Sequence, residues 1–186
     1  MTDSLPADLA AAIAFHGHYC PGLTIGYRAA KIALRELGVE RARDEELAAI
    51  CETDACGVDA IQHLTGCTVG KGNLLLRDWG KQVFTFGRRA DGKLLRLAMR
   101  PDVFADLEAG EHTECHRAKI DRLHSLPDED LFDVRWVESP LPEQARIFRS
   151  VRCAKCGEGV MEARAHLQDG QPVCPECYGS AYTRGW

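Results

Sequence analysis

The sequence predicts a core of helices and short strands, followed by a small cysteine-rich module. Three observations support this fold class. Apolar residues recur at helical spacing through residues 5–37, two strand-like segments flank the turn-forming pair Asp91-Gly92, and two Cys-x-x-Cys units lie near the C-terminal end. With 45% apolar residues, the 186-residue chain can bury a core of ordinary domain size.

Each element follows from local signals. Proline in a first turn and glycine after a last turn, as at Pro21 and Gly38, delimit the early helices. A short continuous apolar run before Cys51 predicts a buried strand, and Gly66 ends the helix that follows it. We expect helices over residues 5–15, 21–37, 58–64 and 113–125, and extended segments over residues 47–51, 69–76, 81–86, 94–99 and 132–137.

The segment Ser139-Pro140-Leu141-Pro142 predicts a linker, because two nearby prolines favour a stiff, extended chain. We expect a core domain over residues 1–138, a linker over 139–150 and a terminal module over 151–186.

The net charge of −5 does not favour a protein bound mainly through nucleic-acid phosphates. No apolar run reaches bilayer length and the start lacks a basic leader region, so we expect a soluble, cytoplasmic protein without membrane contact.

The terminal module carries four cysteines, Cys153, Cys156, Cys174 and Cys177, with seventeen residues between the two pairs. Two residues between cysteines let one tight turn present both sulfurs to one ion, and four thiolates are a preferred ligand set of zinc. A redox pair or buried thiols would be the alternative. We expect a structural zinc finger of ribbon or treble-clef type, because no ligand position is left open and so short a segment needs metal to fold.

Ligand-type residues also cluster early in the chain, where His16, His18 and Cys20 alternate. In an extended segment these side chains share one face, and Cys20 falls at the start of a helix. The helix dipole there favours a thiolate, which is both a nucleophile and a metal ligand. The ordinary alternative for a single histidine is a satisfied core residue.

A second group lies on the third helix, where Cys56, Asp59 and His63 share a face. Taken alone, this pattern is also typical of a polar helix surface. The nearby segment from Gly66 to Asn73 fails as a phosphate-binding loop, because its glycine spacing is one short and it follows a helix. Lys71 is retained as a candidate cationic partner for an anion.

Three separated motifs resemble the family of the formylmethanofuran dehydrogenase E-type subunit: Phe-His-Gly-His-Tyr-Cys-Pro-Gly at 15–22, Glu-Thr-Asp-Ala-Cys-Gly-Val-Asp-Ala at 52–60 and Thr-Gly-Cys-Thr-Val-Gly-Lys-Gly-Asn-Leu at 65–74. The resemblance covers roughly residues 10–140. It implies an α+β core with a mixed or antiparallel sheet, a homodimer, and a zinc finger behind the core. It also implies a metal pocket with His18, Cys20 and Cys56 as ligands and with His16, Cys51 and Asp59 close by.

The leading hypothesis is a metal-binding protein that is accessory to a molybdenum- or tungsten-type redox enzyme or to metal handling. The core metal would be zinc, nickel or iron, and Cys20, Asp59 and Lys71 are the candidate catalytic residues if the pocket performs a reaction. Two alternatives remain open. The finger could be a regulatory module that contacts nucleic acid or a protein, or Cys20 could be the nucleophile of a thiol-dependent enzyme.

Overall fold

The computed structural model describes residues 5–107 and 112–180. The chain divides into two compact units, Met1–Gln144 and Ala145–Trp186. Within the described residues, no helix has the length and apolar character that a bilayer span requires.

The described residues of the first unit form five helices and a five-stranded sheet. The helices are α1 (Ala7–His16), α2 (Pro21–Leu37), α3 (Gly57–Thr65), α4 (His112–Ser125) and α5 (Asp128–Leu131). The strands are β1 (Leu47–Cys51), β2 (Leu74–Leu76), β3 (Val83–Arg88), β4 (Leu94–Met99) and β5 (Phe132–Val137).

The sheet has the order β2-β1-β3-β4-β5. Strand β1 pairs in parallel with β2, while the other neighbours pair antiparallel. The sheet is therefore mixed, and it confirms the predicted α+β class. Alternate residues of β3 and β4 face the helical core, where Phe84, Phe86, Leu95 and Leu97 are each at most 1% exposed.

Helix α2 is the central element of the core, and it crosses α3 at unusually short range. A Cβ atom built on Gly26 would lie 2.0 Å from the carbonyl oxygen of Gly57. Only two glycines permit this approach, since any side chain would collide with backbone. The crossing brings the first turns of α2 and α3 together, and this positions the candidate site.

The first part of the predicted linker, as far as Gln144, belongs to the first unit. Leu141 packs against Gly87, where an added Cβ would lie 2.1 Å from a Leu141 methyl carbon. Arg89 also donates to the carbonyl oxygen of Pro142 at 2.8 Å. These contacts explain why the boundary between the units falls after Gln144.

In the second unit, the residues up to 180 form two small hairpins, a 3₁₀ turn and a short helix. Strands β6 (Ser150–Arg152) and β7 (Gly159–Met161) form the first hairpin, and β8 (His166–Gln168) and β9 (Gln171–Val173) form the second. A single 3₁₀ turn, Glu162–Arg164, separates them, and α6 (Pro175–Tyr178) follows. Among its described residues only Cys153 and Val173 are fully buried apolar residues, so this unit has almost no hydrophobic core.

Candidate metal centre

The first unit brings together four side chains with metal-ligating atoms. The nearest donor atoms of His16, His18, Cys20 and Cys56 all lie within 4.8 Å of one another. In a tetrahedral zinc site, bond lengths of 2.0–2.3 Å separate the donors by about 3.3–3.8 Å. Small side-chain rotations therefore suffice to place these four donors around one ion.

Three of these residues come from the end of α1 and from the connection that leads to α2. Helix α1 ends at His16 because Gly17 adopts a left-handed conformation with φ of 96°. The chain is extended at Cys20, the N-cap of α2, whose Sγ accepts a hydrogen bond from the Leu23 amide at 3.4 Å. The cap both satisfies a free helix amide and holds the Cys20 sulfur in place.

Cys56 comes from a distant stretch, at the N-cap of α3. It lies against Gly22, because a Cβ built there would be 3.1 Å from the Cys56 Cβ. The glycine crossing of α2 and α3 is thus what brings the two thiols together. Burial and the neighbouring Cys20 thiol raise the pKa of the Cys56 thiol. A metal ion would have to displace the proton of the Cys56 thiol, so the affinity of the site for metal falls as the pH falls.

Asp59, in the first turn of α3, orients one of the imidazoles. Its Oδ2 lies 2.7 Å from Nδ1 of His16, and Nε2 of the same ring lies 3.9 Å from the Cys20 sulfur. A proton on Nδ1 would be donated to the carboxylate, which leaves the Nε2 lone pair directed at the thiols. Such carboxylate–histidine pairs are the usual support of metal ligands.

Gln62 extends this support, although the sequence patterns above did not single it out. Its Nε2 donates to Oδ1 of Asp59 at 3.3 Å, and its Oε1 accepts from the Val69 amide at 3.3 Å. The i, i+3 spacing of Asp59 and Gln62 on a helix is a signal that could have suggested the first contact. The second contact depends on the tertiary fold.

We expect the Asp59→Asn variant to bind the core metal about 10–100-fold more weakly, because supporting groups of metal-bound histidines have effects of this size. The measurement is a competition titration against a chelator of known affinity. Asp91→Asn is the matched control, since Asp91 pairs with Arg88 instead of with a candidate ligand. Equal affinities for both variants would contradict the role of Asp59.

Two predicted site residues lie elsewhere. Cys51 is fully buried in β1 beside Cys67, and burial raises the pKa of its thiol to about 12. It is not among the four residues that converge. The Lys71 ammonium donates to the carbonyl oxygen of Asp44 at 2.8 Å, which ties its loop to the segment that precedes β1.

The loop from Gly66 to Asn73 is held by its own side chains. Asn73 is fully buried, and its side chain accepts from the Thr68 amide at 2.9 Å and donates to the Leu47 carbonyl at 2.9 Å. These contacts account for the polar character of the segment without an anion.

His63 also lies apart from the cluster, although it shares a helix with Asp59. Its ring faces Phe15, with ring centroids 5.8 Å apart.

The second unit assembles the four predicted zinc ligands, whose sulfurs all lie within 4.8 Å of one another. Cys153 and Cys156 lie in the turn between β6 and β7, while Cys174 and Cys177 lie at the start of α6. Backbone amides, including that of Cys174 at 3.3 Å, point at the Cys153 sulfur and lower the pKa of this thiol to about 6. The amides favour a thiolate at Cys153, while the neighbouring cysteines raise the pKa of Cys177 to about 12. A zinc ion would hold all four side chains as thiolates.

Comparisons with known proteins agree with both parts of this description. Residues 15–133 match the family described as FmdE, molybdenum formylmethanofuran dehydrogenase operon. Residues 146–182 match the prokaryotic dksA/traR C4-type zinc finger. The second match confirms the predicted four-cysteine zinc finger.

Individual proteins are also similar to the chain. A probable S-adenosyl-L-methionine-binding protein of Archaeoglobus fulgidus is 34% identical over 193 residues, which cover 90% of this chain and 51% of that protein. The chain thus spans about half the length of this relative. The crystal structure of a tungsten formylmethanofuran dehydrogenase FmdE-like protein from Syntrophus aciditrophicus has a TM-score of 0.65 and 25% identity, with coverage of 94% and 92%. Because the family match covers more than half of the chain, this protein belongs to the FmdE family.

Proposed function

We propose that the core unit binds one transition-metal ion through His16, His18, Cys20 and Cys56, and that the protein handles this metal for a redox enzyme. The convergence of two thiols and two imidazoles from distant stretches of the chain carries the proposal. Two other thiols, Cys51 and Cys67, are fully buried and belong to neither group of converging ligands.

The donor set restricts the metal. Two sulfurs and two imidazole nitrogens disfavour calcium and magnesium, which prefer oxygen ligands. Zinc, nickel and iron accept such donors, and a tetrahedral arrangement of two sulfurs and two nitrogens is typical of zinc. Bound metal would hold both thiolates in their ionised form and would act as a Lewis acid toward any further ligand.

The partner and the setting come from the family. The FmdE family and the similar protein from Syntrophus are both named after a formylmethanofuran dehydrogenase, of molybdenum type in one case and tungsten type in the other. Our proposal therefore includes assembly as a homodimer and association with an enzyme of this kind, in a cytoplasm that keeps the thiols reduced. The ligand named for the Archaeoglobus protein is not carried over, because the chain spans only half of that protein.

A metal count per chain tests the proposal. We expect two metal ions in the unaltered chain and one in the Cys20→Ser, Cys56→Ser double variant, because oxygen is a poor replacement for thiolate. Cys115→Ser is the matched control, since this half-buried cysteine on α4 lies outside both clusters and the variant should retain two ions. An unchanged count in the double variant would reject the core site.

The two alternatives receive less support. In the finger, Arg149 pairs with Glu162, Arg152 donates to the carbonyl of Gly157, and Lys155 donates to the carbonyl of Cys177. These cations stabilise the finger itself, so less of their positive charge is available for contacts with nucleic-acid phosphates. A thiol enzyme is less favoured because Cys20 lies among a second thiol and two imidazoles, a donor set that suits a metal ion.

A further inference from the structure

The two imidazoles of the core cluster are held very differently. The His16 side chain is 10% exposed and its Nδ1 is engaged by Asp59 at 2.7 Å. His18 is exposed, and its ring contacts the His16 ring with centroids 4.5 Å apart and planes tilted by 37°. Across residues 5–107 and 112–180, no hydrogen bond fixes the His18 ring. One imidazole is therefore oriented before any metal binds, while the other is not.

A series of hydrogen bonds fixes the orientation of the His16 ring. Asp59 is itself held by Gln62, and Gln62 accepts from the amide of Val69. His16 also ends a helix, so its backbone is constrained by α1. A ligand held in this way loses little conformational freedom when it coordinates a metal, whereas a free side chain must lose its rotamer entropy.

The two cysteines are also carried on backbone that a helix constrains. Cys20 is 4% exposed and is the N-cap of α2, where its sulfur accepts from the Leu23 amide. Cys56 is the N-cap of α3 and lies against Gly22. Three donors are thus anchored on helix ends, and the fourth, His18, lies on the solvent side of the cluster.

We propose that His18 is an exchangeable ligand and that an external nitrogen or sulfur donor takes its place on the metal. This inference rests on the proposed core metal site. Three fixed protein ligands and one replaceable position are typical of metal sites that exchange ligands, while closed four-ligand sites such as the finger are structural. The external donor would be an imidazole or thiol group of a partner or a small molecule, because softer donors suit a metal that already has two thiolate ligands.

Single variants of the two histidines in the full-length chain test this inference. We expect His18→Ala to retain two metal ions per chain and His16→Ala to retain one. Thermal unfolding of each variant shows whether the first unit is folded. If His16→Ala does not fold, His16→Asn, which retains a side-chain donor for Asp59, takes its place. Loss of the core metal from His18→Ala to the same extent as from the His16 variant would overturn the inference.

Cobalt substitution provides a second readout. Addition of imidazole to cobalt-loaded His18→Ala should shift the visible absorption of the core cobalt, and 2-mercaptoethanol should shift it differently, while acetate, a hard oxygen donor, should leave it unchanged. The finger cobalt, with four cysteine ligands, contributes a constant background. Absence of any shift with imidazole and thiol would also overturn the inference. A single metal ion in the unaltered chain is a different outcome, because it would reject the proposed core site itself.

Discussion

Cys174→Ser is expected to unfold the C-terminal unit while the first unit remains folded. Cys174 connects several parts of the finger: it is the N-cap of α6, its amide donates to the Cys153 sulfur, and its sulfur lies 3.9 Å from that of Cys156. Structural zinc contributes about 10–16 kcal/mol to the folding of small zinc-finger peptides. With almost no buried apolar side chains of its own, this unit has nothing to replace such a contribution.

Limited proteolysis followed by mass spectrometry measures this effect. Cleavage should become rapid between residues 145 and 180 in the variant, and a strong chelator should reproduce the result in the unaltered chain. Cys115→Ser is again the matched control, because it removes one thiol from the first unit and none from the finger. A finger that resists the protease as well after Cys174→Ser as before would show that zinc is not what holds it.

Gly26→Ala should destabilise the first unit and disrupt the core metal site together. In an ordinary helix, replacing glycine by alanine stabilises by about 0.5–1 kcal/mol. Here the added Cβ would lie 2.0 Å from the Gly57 carbonyl oxygen and 2.5 Å from the Gly57 Cα. Backbone cannot yield as a flexible side chain does, so α2 and α3 must move apart, at a cost of about 1–3 kcal/mol or more.

The unfolding temperature and the metal count report the two consequences. The midpoint should fall by several degrees, and the core metal should be lost or bound weakly, because Cys56 moves with α3 while Cys20 moves with α2. Gly70→Ala provides the matched control, since a Cβ there meets no atom within 4 Å and the position does not have positive φ. An unchanged midpoint for Gly26→Ala, or equal effects of the two substitutions, would contradict the steric argument.

Much of the secondary structure follows from local pattern. The helix that ends at Leu37 and the strands on either side of Asp91-Gly92 occur where apolar spacing, proline and glycine predict them. Local chemistry also indicated the finger, because two Cys-x-x-Cys units can form a zinc site only if their turns meet. His16, His18 and Cys20 lie close together as sequence neighbours, but the single extended segment predicted for them is wrong, because His16 ends α1 and Gly17 is left-handed.

Long-range packing decided the rest of the core site. Spacing could not distinguish Cys56, which joins the cluster, from Cys51, which is buried in β1, because both belong to the same strand-loop-helix unit. Residue spacing also could not show that Lys71 donates to a loop carbonyl, or that Asp59 bonds to His16, which is 43 residues away in the sequence. The meeting of Cys56 with Cys20 depends on how closely α2 and α3 approach, and Gly26 and Gly57 permit that distance only in the folded chain.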